Sequence, residues 1–224
     1  MKTVRSVHGQ MSDRFHTALF IILSGGFQDA YTYTCRSKVF ANAQTGNVIL
    51  MSTALFQRQW GDVIKYLIPL ISFIFGIAVA ECVQMHLKHY KKIHWRQLIL
   101  IGEILLLFLV GFLPSELDFL ANALVSFVCA MQVQAFSKLH GNAYASTMCI
   151  GNLRSGTVAL CTYFRVKDKK ILKKSLTYFS VIGTFAVGAA LGSLVSPNLG
   201  YPSIWICCIL LFISFIIMFV PEEK

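Results

Sequence analysis

The sequence has little charge. Only 13% of its 224 residues are Asp, Glu, Lys or Arg, whereas 56% are hydrophobic. A soluble domain of this length needs a more charged surface to stay in solution. Several apolar stretches also approach the roughly 20 residues that a helix needs to cross a bilayer. The composition therefore excludes an ordinary soluble protein and predicts one integral membrane domain over residues 1–224.

The sequence also lacks the motifs on which enzyme or metal chemistry usually depends. Its seven cysteines form no C-x-x-C pair, and most lie in apolar stretches, where cysteine behaves as a small hydrophobic residue. It has no recognisable Asp pair, Ser/His couple or H-E-x-x-H cluster. His86 and His89 share one helical face near His94, but no Cys or carboxylate nearby completes a ligand set. We predict no enzyme activity, no catalytic residue, no metal site and no cofactor.

Acidic residues are scarce. Ten of them against 20 Lys and Arg give a formal net charge of +10. Such a charge is common in nucleic-acid-binding proteins, but here the basic residues lie between apolar stretches, chiefly in 88–96 and 165–174. The positive-inside rule explains that distribution by membrane orientation. We therefore predict no nucleic-acid partner, and a lipid bilayer around the chain.

Six apolar stretches predict spanning helices. Two weaker segments, 41–56 and 147–164, open with small and polar residues and predict full helices or short re-entrant ones. Six spans put the basic 88–96 and 138–174 regions on one face, as the positive-inside rule favours, with the basic 36–65 loop as the misfit. We expect an all-α polytopic bundle in the inner (plasma) membrane with both termini cytoplasmic; eight spans are the alternative. The six stretches are approximately 15–33, 66–87, 98–113, 117–136, 176–195 and 204–220.

The sequence contains an internal repeat. Gly46-Asn47 and Gly151-Asn152 lie 105 positions apart, and the same offset aligns their flanking helices without a gap. We predict two related halves, approximately 15–113 and 117–220. With three spans in each half, the second half enters from the opposite face. Inverted halves are a common plan for transporters, whose site lies between the repeats.

The two Gly-Asn motifs predict a polar path. Free N–H groups at the start of a half-helix bind anionic or polar groups, and Asn offers both a donor and an acceptor. Two such motifs that enter from opposite faces would meet near the centre of the membrane. The structural alternative is that Gly allows close packing and Asn bonds to a neighbouring helix. The predicted path residues are Asp29, Gln44, Thr45, Gly46, Asn47, Gln132, Gln134, Gly151, Asn152 and Arg154.

Ionisable residues inside apolar stretches are costly in a bilayer and indicate function. We expect Asp29 to pair with Arg154, so that each charge offsets the burial of the other; a purely structural ion pair is the alternative. For Glu81 and Glu103 we expect positions near the cytoplasmic ends of their helices, beside basic residues of the 88–96 loop.

Three blocks of the sequence resemble the YoaK-like family of bacterial integral membrane proteins, a domain family of unknown function. They are residues 25–30 (GGFQDA), 40–47 (FANAQTGN) and 146–156 (STMCIGNLRSG). Their order and spacing extend the resemblance over nearly the whole chain. In the family pattern Thr usually precedes the second Gly-Asn pair, where this chain has Ile150. The resemblance implies a multi-pass inner-membrane protein of about six spans and supplies no substrate.

Together these features predict a small-solute transporter or channel for an unidentified small polar or anionic solute. A non-transporting membrane scaffold or assembly partner is the alternative. Small residues such as Gly183, Gly188 and Gly192 can pack within a protomer or between protomers, so the sequence leaves a homo-oligomer open.

Overall fold

The protein is an all-α bundle, as predicted. The computed structural model describes residues 15–88, 94–139 and 141–218, so the chain termini lie outside the described residues. Strands in these ranges form a single short hairpin, in which Lys138–Leu139 pairs antiparallel with Asn142–Ala143. The helices are α1 (Phe15–Cys35), α2 (Gln44–Phe56), α3 (Trp60–Leu87), α4 (Trp95–Val110), α5 (Asp118–Ala135), α6 (Cys149–Val166), α7 (Lys169–Leu199) and α8 (Trp205–Ile217).

The outer surface of the bundle is apolar. Three helical segments are long and apolar enough to cross a membrane, namely Trp60–Leu87, Ser115–Ala135 and Lys169–Leu199, and Tyr201–Ile217 is a shorter apolar segment. Large apolar side chains on their outer faces are exposed, as on α3, α4, α7 and α8. A continuous apolar surface of this kind is unfavourable in water and suits contact with lipid. The protein is therefore a membrane protein.

Two helices are longer than the apolar stretches that predict them. The helix expected from 66 begins at Trp60, and the one expected from 176 begins at Lys169. The start of α7 is capped by Asp168, whose carboxylate accepts a hydrogen bond from the backbone N–H of Lys170 at 2.8 Å. Because α7 has 31 residues, it is about 46 Å long and exceeds the ~30 Å hydrocarbon layer. Its basic first turns therefore extend beyond that layer.

The first long helix pair is α1 and α7, which run parallel. Gly188 of α7 lies against the Leu23 carbonyl of α1, and Cys35 Sγ donates to the Ser196 carbonyl 3.3 Å away. Residue numbers thus rise together along both helices. A Cβ at Gly188 would collide with the Leu23 carbonyl oxygen, so glycine is required for this close approach.

The second long pair is α3 and α5, which also run parallel. Gly76 of α3 lies against the Phe127 carbonyl of α5, and Glu81 of α3 accepts a hydrogen bond from Gln134 of α5. A Cβ at Gly76 would collide with that carbonyl oxygen. Helices α4 and α8 pack against each other and against α5 and α1, respectively. The two long pairs therefore form the body of the bundle.

Helix α2 belongs to a re-entrant segment. After α1 ends at Cys35, the chain turns back until the backbone N–H of Asn42 donates to Asp29 Oδ1 at 2.8 Å and its Nδ2 to the Gly25 carbonyl at 3.3 Å. Gly25 lies ten residues before Cys35, or about 15 Å along the axis of α1. Helix α2 thus begins near the middle of the bundle and returns to the end from which the chain came.

Helix α6 belongs to a second re-entrant segment, which enters from the opposite end. The chain leaves α5 at Ala135 and reaches Gly25, where a Cβ on that glycine would lie 2.6 Å from Thr147 Cγ2. Helix α6 then returns antiparallel to α7, and Ser175 Oγ donates to the Gly156 carbonyl at 2.8 Å. Six helices that cross the bundle and two that return form the arrangement predicted from loop charge.

Candidate functional site

The two re-entrant segments meet on one face of α1. Asp29 lies one helical turn after Gly25, and both face the incoming loops. Asn42 bonds to Asp29 and to the Gly25 carbonyl, Thr147 contacts Gly25, and Gln132 Nε2 donates to the Ile21 carbonyl at 3.1 Å. We call Asp29, Asn42, Gln132 and Thr147 the central cluster.

The central cluster is buried but not fully bonded. The exposed fractions of its residues are 9% for Asp29, 3% for Asn42, 0% for Gln132 and 4% for Thr147. Asn42 Oδ1, Gln132 Oε1 and Thr147 Oγ1 are buried without a hydrogen-bond partner. Buried polar atoms are normally paired, because an unpaired one costs free energy. The cluster therefore suits a ligand that donates hydrogen bonds.

The asparagines of the Gly-Asn motifs brace their own segments. Asn47 Nδ2 donates to the Phe40 carbonyl at 2.8 Å, and Asn152 Nδ2 donates to the Ala145 carbonyl at 2.8 Å. In each case the acceptor is seven residues earlier, and both asparagines are buried. The two side chains therefore hold the loop before each half-helix. The structural alternative expected a bond to a neighbouring helix, and these bonds stay within the asparagine's own segment.

The other predicted path residues are dispersed. Gln44 bonds to the Ala41 carbonyl and to Asn47. Gln134 bonds to Glu81. Gly46 is half-buried, whereas Thr45 and Gly151 are exposed. Of the ten predicted residues, the central cluster contains only Asp29 and Gln132.

The expected ion pair between Asp29 and Arg154 is not formed. Asp29 accepts the Asn42 N–H, whereas Arg154 is exposed and lines a groove between α6 and α7. The reason is helical phase. Asn152 faces inward, and a residue two positions later is rotated by about 200°, so Arg154 faces outward.

The two glutamates lack the expected basic partners among the described residues, although Glu81 lies near the end of α3, as expected. Glu81 accepts a hydrogen bond from Gln134 rather than from a basic residue. Glu103 is fully buried midway along α4, and neither of its carboxyl oxygens has a hydrogen-bond partner. Arg96 instead donates to the Ala135 carbonyl at 2.8 Å. The prediction for Glu103 was wrong because this residue lies about two turns inside the helix, beyond the reach of the 88–96 loop.

Arg36, a fully buried residue immediately after α1, is not among the predicted path residues. Its guanidinium bonds to Asp118 Oδ1 at 2.9 Å and lies 3.9 Å from the centre of the Tyr201 ring. Its nitrogens have five acceptors, which matches the five N–H donors of arginine. The sequence contained a signal for Arg36, because the basic 36–65 loop that includes it did not fit the positive-inside rule. The acceptors are Tyr31 Oη and the carbonyls of Val110, Leu113 and Pro114, together with Asp118.

The Arg36 network closes one end of the bundle. It joins the ends of α1 and α4, the start of α5 and the turn before α8. Asp118 also accepts a hydrogen bond from Ser37 Oγ at 2.7 Å, and Asn122 Nδ2 donates to the Arg36 carbonyl at 2.9 Å. Arg36 and Asp118 thus neutralise each other, with Arg36 fully buried and Asp118 16% exposed.

Within the described ranges, no group of three or more His, Cys, Asp or Glu residues is placed to hold a metal ion. His86 bonds to the Cys82 carbonyl of its own helix. His89 lies outside the described residues, so the placement of His86 and His89 on one helical face stays a sequence prediction.

The matches to known proteins cover most of the chain. The family described as "Protein of unknown function (DUF1275)" matches residues 17–217. The chain is 25% identical over 201 residues to the "UPF0700 transmembrane protein YoaK" of Bacillus subtilis (strain 168), with 86% of this chain and 88% of that protein covered. No solved structure matches. The matched range contains the central cluster and both Gly-Asn motifs. The chain therefore belongs to the DUF1275 family and is a YoaK-like membrane protein, as its three sequence blocks indicate.

Proposed function

We propose that the protein is a transporter or channel for a small polar solute, and that the solute crosses the membrane at the central cluster. The observation that carries the proposal is the meeting of two re-entrant segments, from opposite ends, on one turn of α1. Broken backbone at membrane depth is tolerated where it is buried in protein or lines a cavity. Three unpaired buried oxygens lie at this meeting point.

An inverted relation between the halves supports the proposal. Each half has an asparagine that bonds to the carbonyl seven residues earlier. Each half also has a glycine, Gly76 or Gly188, that lets its long helix approach a carbonyl of the other half. Because α1 and α5 run in opposite directions, the halves are inverted in this proposal. Transporters built in this way place their site near the midplane.

The chemistry of the cluster selects the class of solute. Its groups are one carboxyl, two side-chain amide oxygens and one hydroxyl, and Arg154 lies outside it. Oxygen acceptors without a cationic side chain suit a solute that donates hydrogen bonds or carries positive charge. We therefore favour a polar or cationic solute. The expectation of an anionic solute depended on Arg154, which lies outside the cluster.

Passage requires motion, since the described structure buries the cluster from both ends. The Arg36 network closes one end, and Leu139 and Tyr144 pack with Ala18 of α1 and Tyr178 of α7 at the other. In the proposed cycle the α1–α7 pair moves against the α3–α5 pair, and each end opens in turn. The basic end with Lys88 and 167–174 faces the cytoplasm of the inner membrane, as the positive-inside rule favours.

A non-transporting scaffold is the second candidate. The observation that favours it is that Asn47 Nδ2 and Asn152 Nδ2 each donate two hydrogen bonds within their own segments. In a scaffold, the Gly-Asn motifs only hold two loops in place, and the unpaired oxygens of the central cluster are a local cost in stability.

Uptake into proteoliposomes distinguishes the two candidates. The purified protein is tested with a panel of ammonium, methylamine, guanidinium, urea, glycerol and Na⁺ against protein-free liposomes. We expect one of these solutes to enter faster with the protein present. Thr147→Val removes a hydroxyl that has no partner, so it should slow that uptake about tenfold without loss of stability.

Asp29→Asn should slow the same uptake, because it removes the only carboxyl of the cluster. The matched control is Thr53→Val, on the exposed surface of α2. Equal permeability of protein-containing and empty liposomes for the whole panel would favour the scaffold. Equal uptake by Thr147→Val, Asp29→Asn and the unmodified protein would move the path away from the central cluster.

A further inference from the structure

The groove between α6 and α7 has a polar and basic wall that the proposed transport path does not use. It has a volume of about 420 Å³. Arg154 and Lys174 supply two positive charges, and Ser155 and Thr162 supply hydroxyl groups. No carboxylate lines the groove, and neither cation forms a salt bridge within the described residues.

The groove lies at the level of the lipid headgroups. Gly188 of α7 packs beside Leu23, near the middle of the bundle. Tyr178 lies ten residues before Gly188, or about 15 Å along the axis, which is half the thickness of the hydrocarbon layer. The Ser175–Gly156 hydrogen bond places Arg154 beside this level, and Lys174 lies one turn farther out.

The groove also opens to the surroundings of the bundle. Helix α6 packs along α7, and no other helix in the described part of the chain packs extensively against it. Val158 and Ile171 line the groove next to the charged residues, and Val158 is 59% exposed. A molecule in this groove therefore meets positive charge at one level and apolar side chains beside it.

We propose that this groove binds the phosphodiester headgroup of an anionic membrane lipid. Arg154 and Lys174 pair with the phosphate, the hydroxyl of Ser155 donates a hydrogen bond to it, and an acyl chain lies against the exposed apolar face of α6. Thr162 Oγ1 donates to the Val158 carbonyl at 2.8 Å and adds only a polar surface to the groove. Basic pockets between membrane helices on the cytoplasmic side suit such headgroups. The site also explains why Arg154, at the edge of the hydrocarbon layer, faces outward without a protein partner.

Native mass spectrometry of the detergent-solubilised full chain tests this site with phosphatidylglycerol as the probe and phosphatidylcholine as the neutral comparison. We expect tighter binding of phosphatidylglycerol. Each cation near the membrane surface is worth about a fivefold change in affinity, so Arg154→Gln with Lys174→Gln should weaken phosphatidylglycerol binding about 25-fold. The matched control, Arg58→Gln with Lys65→Gln, removes the same charge at the opposite end and should leave the affinity unchanged.

Arg154→Lys keeps the charge and should retain most of the affinity, which provides a readout even if the double variant folds poorly. Equal phosphatidylglycerol binding by the double variant and the unmodified protein would overturn the proposal. So would an equal loss in the control variant. Displacement of the lipid by millimolar inorganic phosphate would also overturn it, because the site would then serve a soluble anion. Each result is independent of solute uptake.

Discussion

The two re-entrant segments are held by the same kind of asparagine hydrogen bond, but their other contacts with the bundle differ. Asn47 and Asn152 each bond to a carbonyl seven residues earlier. The first segment is also fixed by ionisable side chains, since its backbone bonds to the Asp29 carboxyl and its loop begins at the buried Arg36. The second segment is fixed by neutral groups, such as the bond between Gln132 and Ser146 at 3.3 Å.

This difference indicates which end opens more easily. Buried charged hydrogen bonds are costly to break one partner at a time, whereas a neutral bond contributes about 1 kcal/mol. We therefore expect the Arg36 end to be the more rigid end of the bundle. The end with the short hairpin of Lys138–Leu139 and Asn142–Ala143 is the one that should open first in the proposed cycle.

The largest expected effect follows from removal of the Arg36 charge. Arg36→Gln leaves Asp118 unpaired and several helix-end carbonyls without a donor. We expect a loss of about 3 to 5 kcal/mol in the free energy of unfolding, measured by SDS titration in mixed micelles. Lys38→Gln, an exposed position in the same loop, is the control. A loss below about 1 kcal/mol for Arg36→Gln would contradict the rigid-end interpretation.

An intermediate effect is expected at the two close helix crossings, α1 with α7 and α3 with α5. Gly188→Ala and Gly76→Ala each place a methyl group against a backbone carbonyl that cannot move aside easily. We expect each to lower the free energy of unfolding by about 1 to 3 kcal/mol in the same titration.

Gly183→Ala provides the matched control on α7. A Cβ at Gly183 meets nothing within 4 Å, and alanine favours a helix over glycine. Its stability should therefore stay the same or rise. If Gly188→Ala were tolerated as well as Gly183→Ala, the close contact between α1 and α7 would not be needed for stability.

The smallest expected effect is at the hydrogen bonds that Asn47 and Asn152 donate to the loops before their helices. Asn47→Ala and Asn152→Ala each leave a loop carbonyl without its donor, which costs about 1 to 2 kcal/mol. Similar losses for the two variants would support equal braces in the two segments. A much larger loss for one of them would show that the two segments differ in this asparagine hydrogen bond as well as in their other contacts with the bundle. Ser52→Ala, on the exposed side of α2, is the control.

Much of the fold was predictable because it depends on hydropathy and local signals. Low charge and long apolar stretches predict the membrane class, and the polar openings of 41–56 and 147–164 predict that these helices differ from the rest. The start of α7 was not predictable from hydropathy, since a capped helix can continue into polar surroundings beyond the lipid.

The candidate site was only partly predictable. Asp29 and Gln132 stand out as polar residues in apolar stretches, and both lie in the central cluster. Asn42 and Thr147 were not predicted, because they lie in the loops before the Gly-Asn motifs and only the motifs themselves were assigned to the path. Arg154 was assigned to the path because the sequence does not show which way a residue faces on a helix with one packed side.

The sequence by itself determined that the chain is an all-helical membrane protein with two polar breaks, because those properties follow from composition and local order. Only the tertiary structure decided which polar groups meet. Asp29 bonds to Asn42 because the first loop turns back along α1, and Arg154 turns away because its neighbour Asn152 faces inward. Contacts of this kind depend on helical phase and on the path of each loop, and neither is contained in hydropathy.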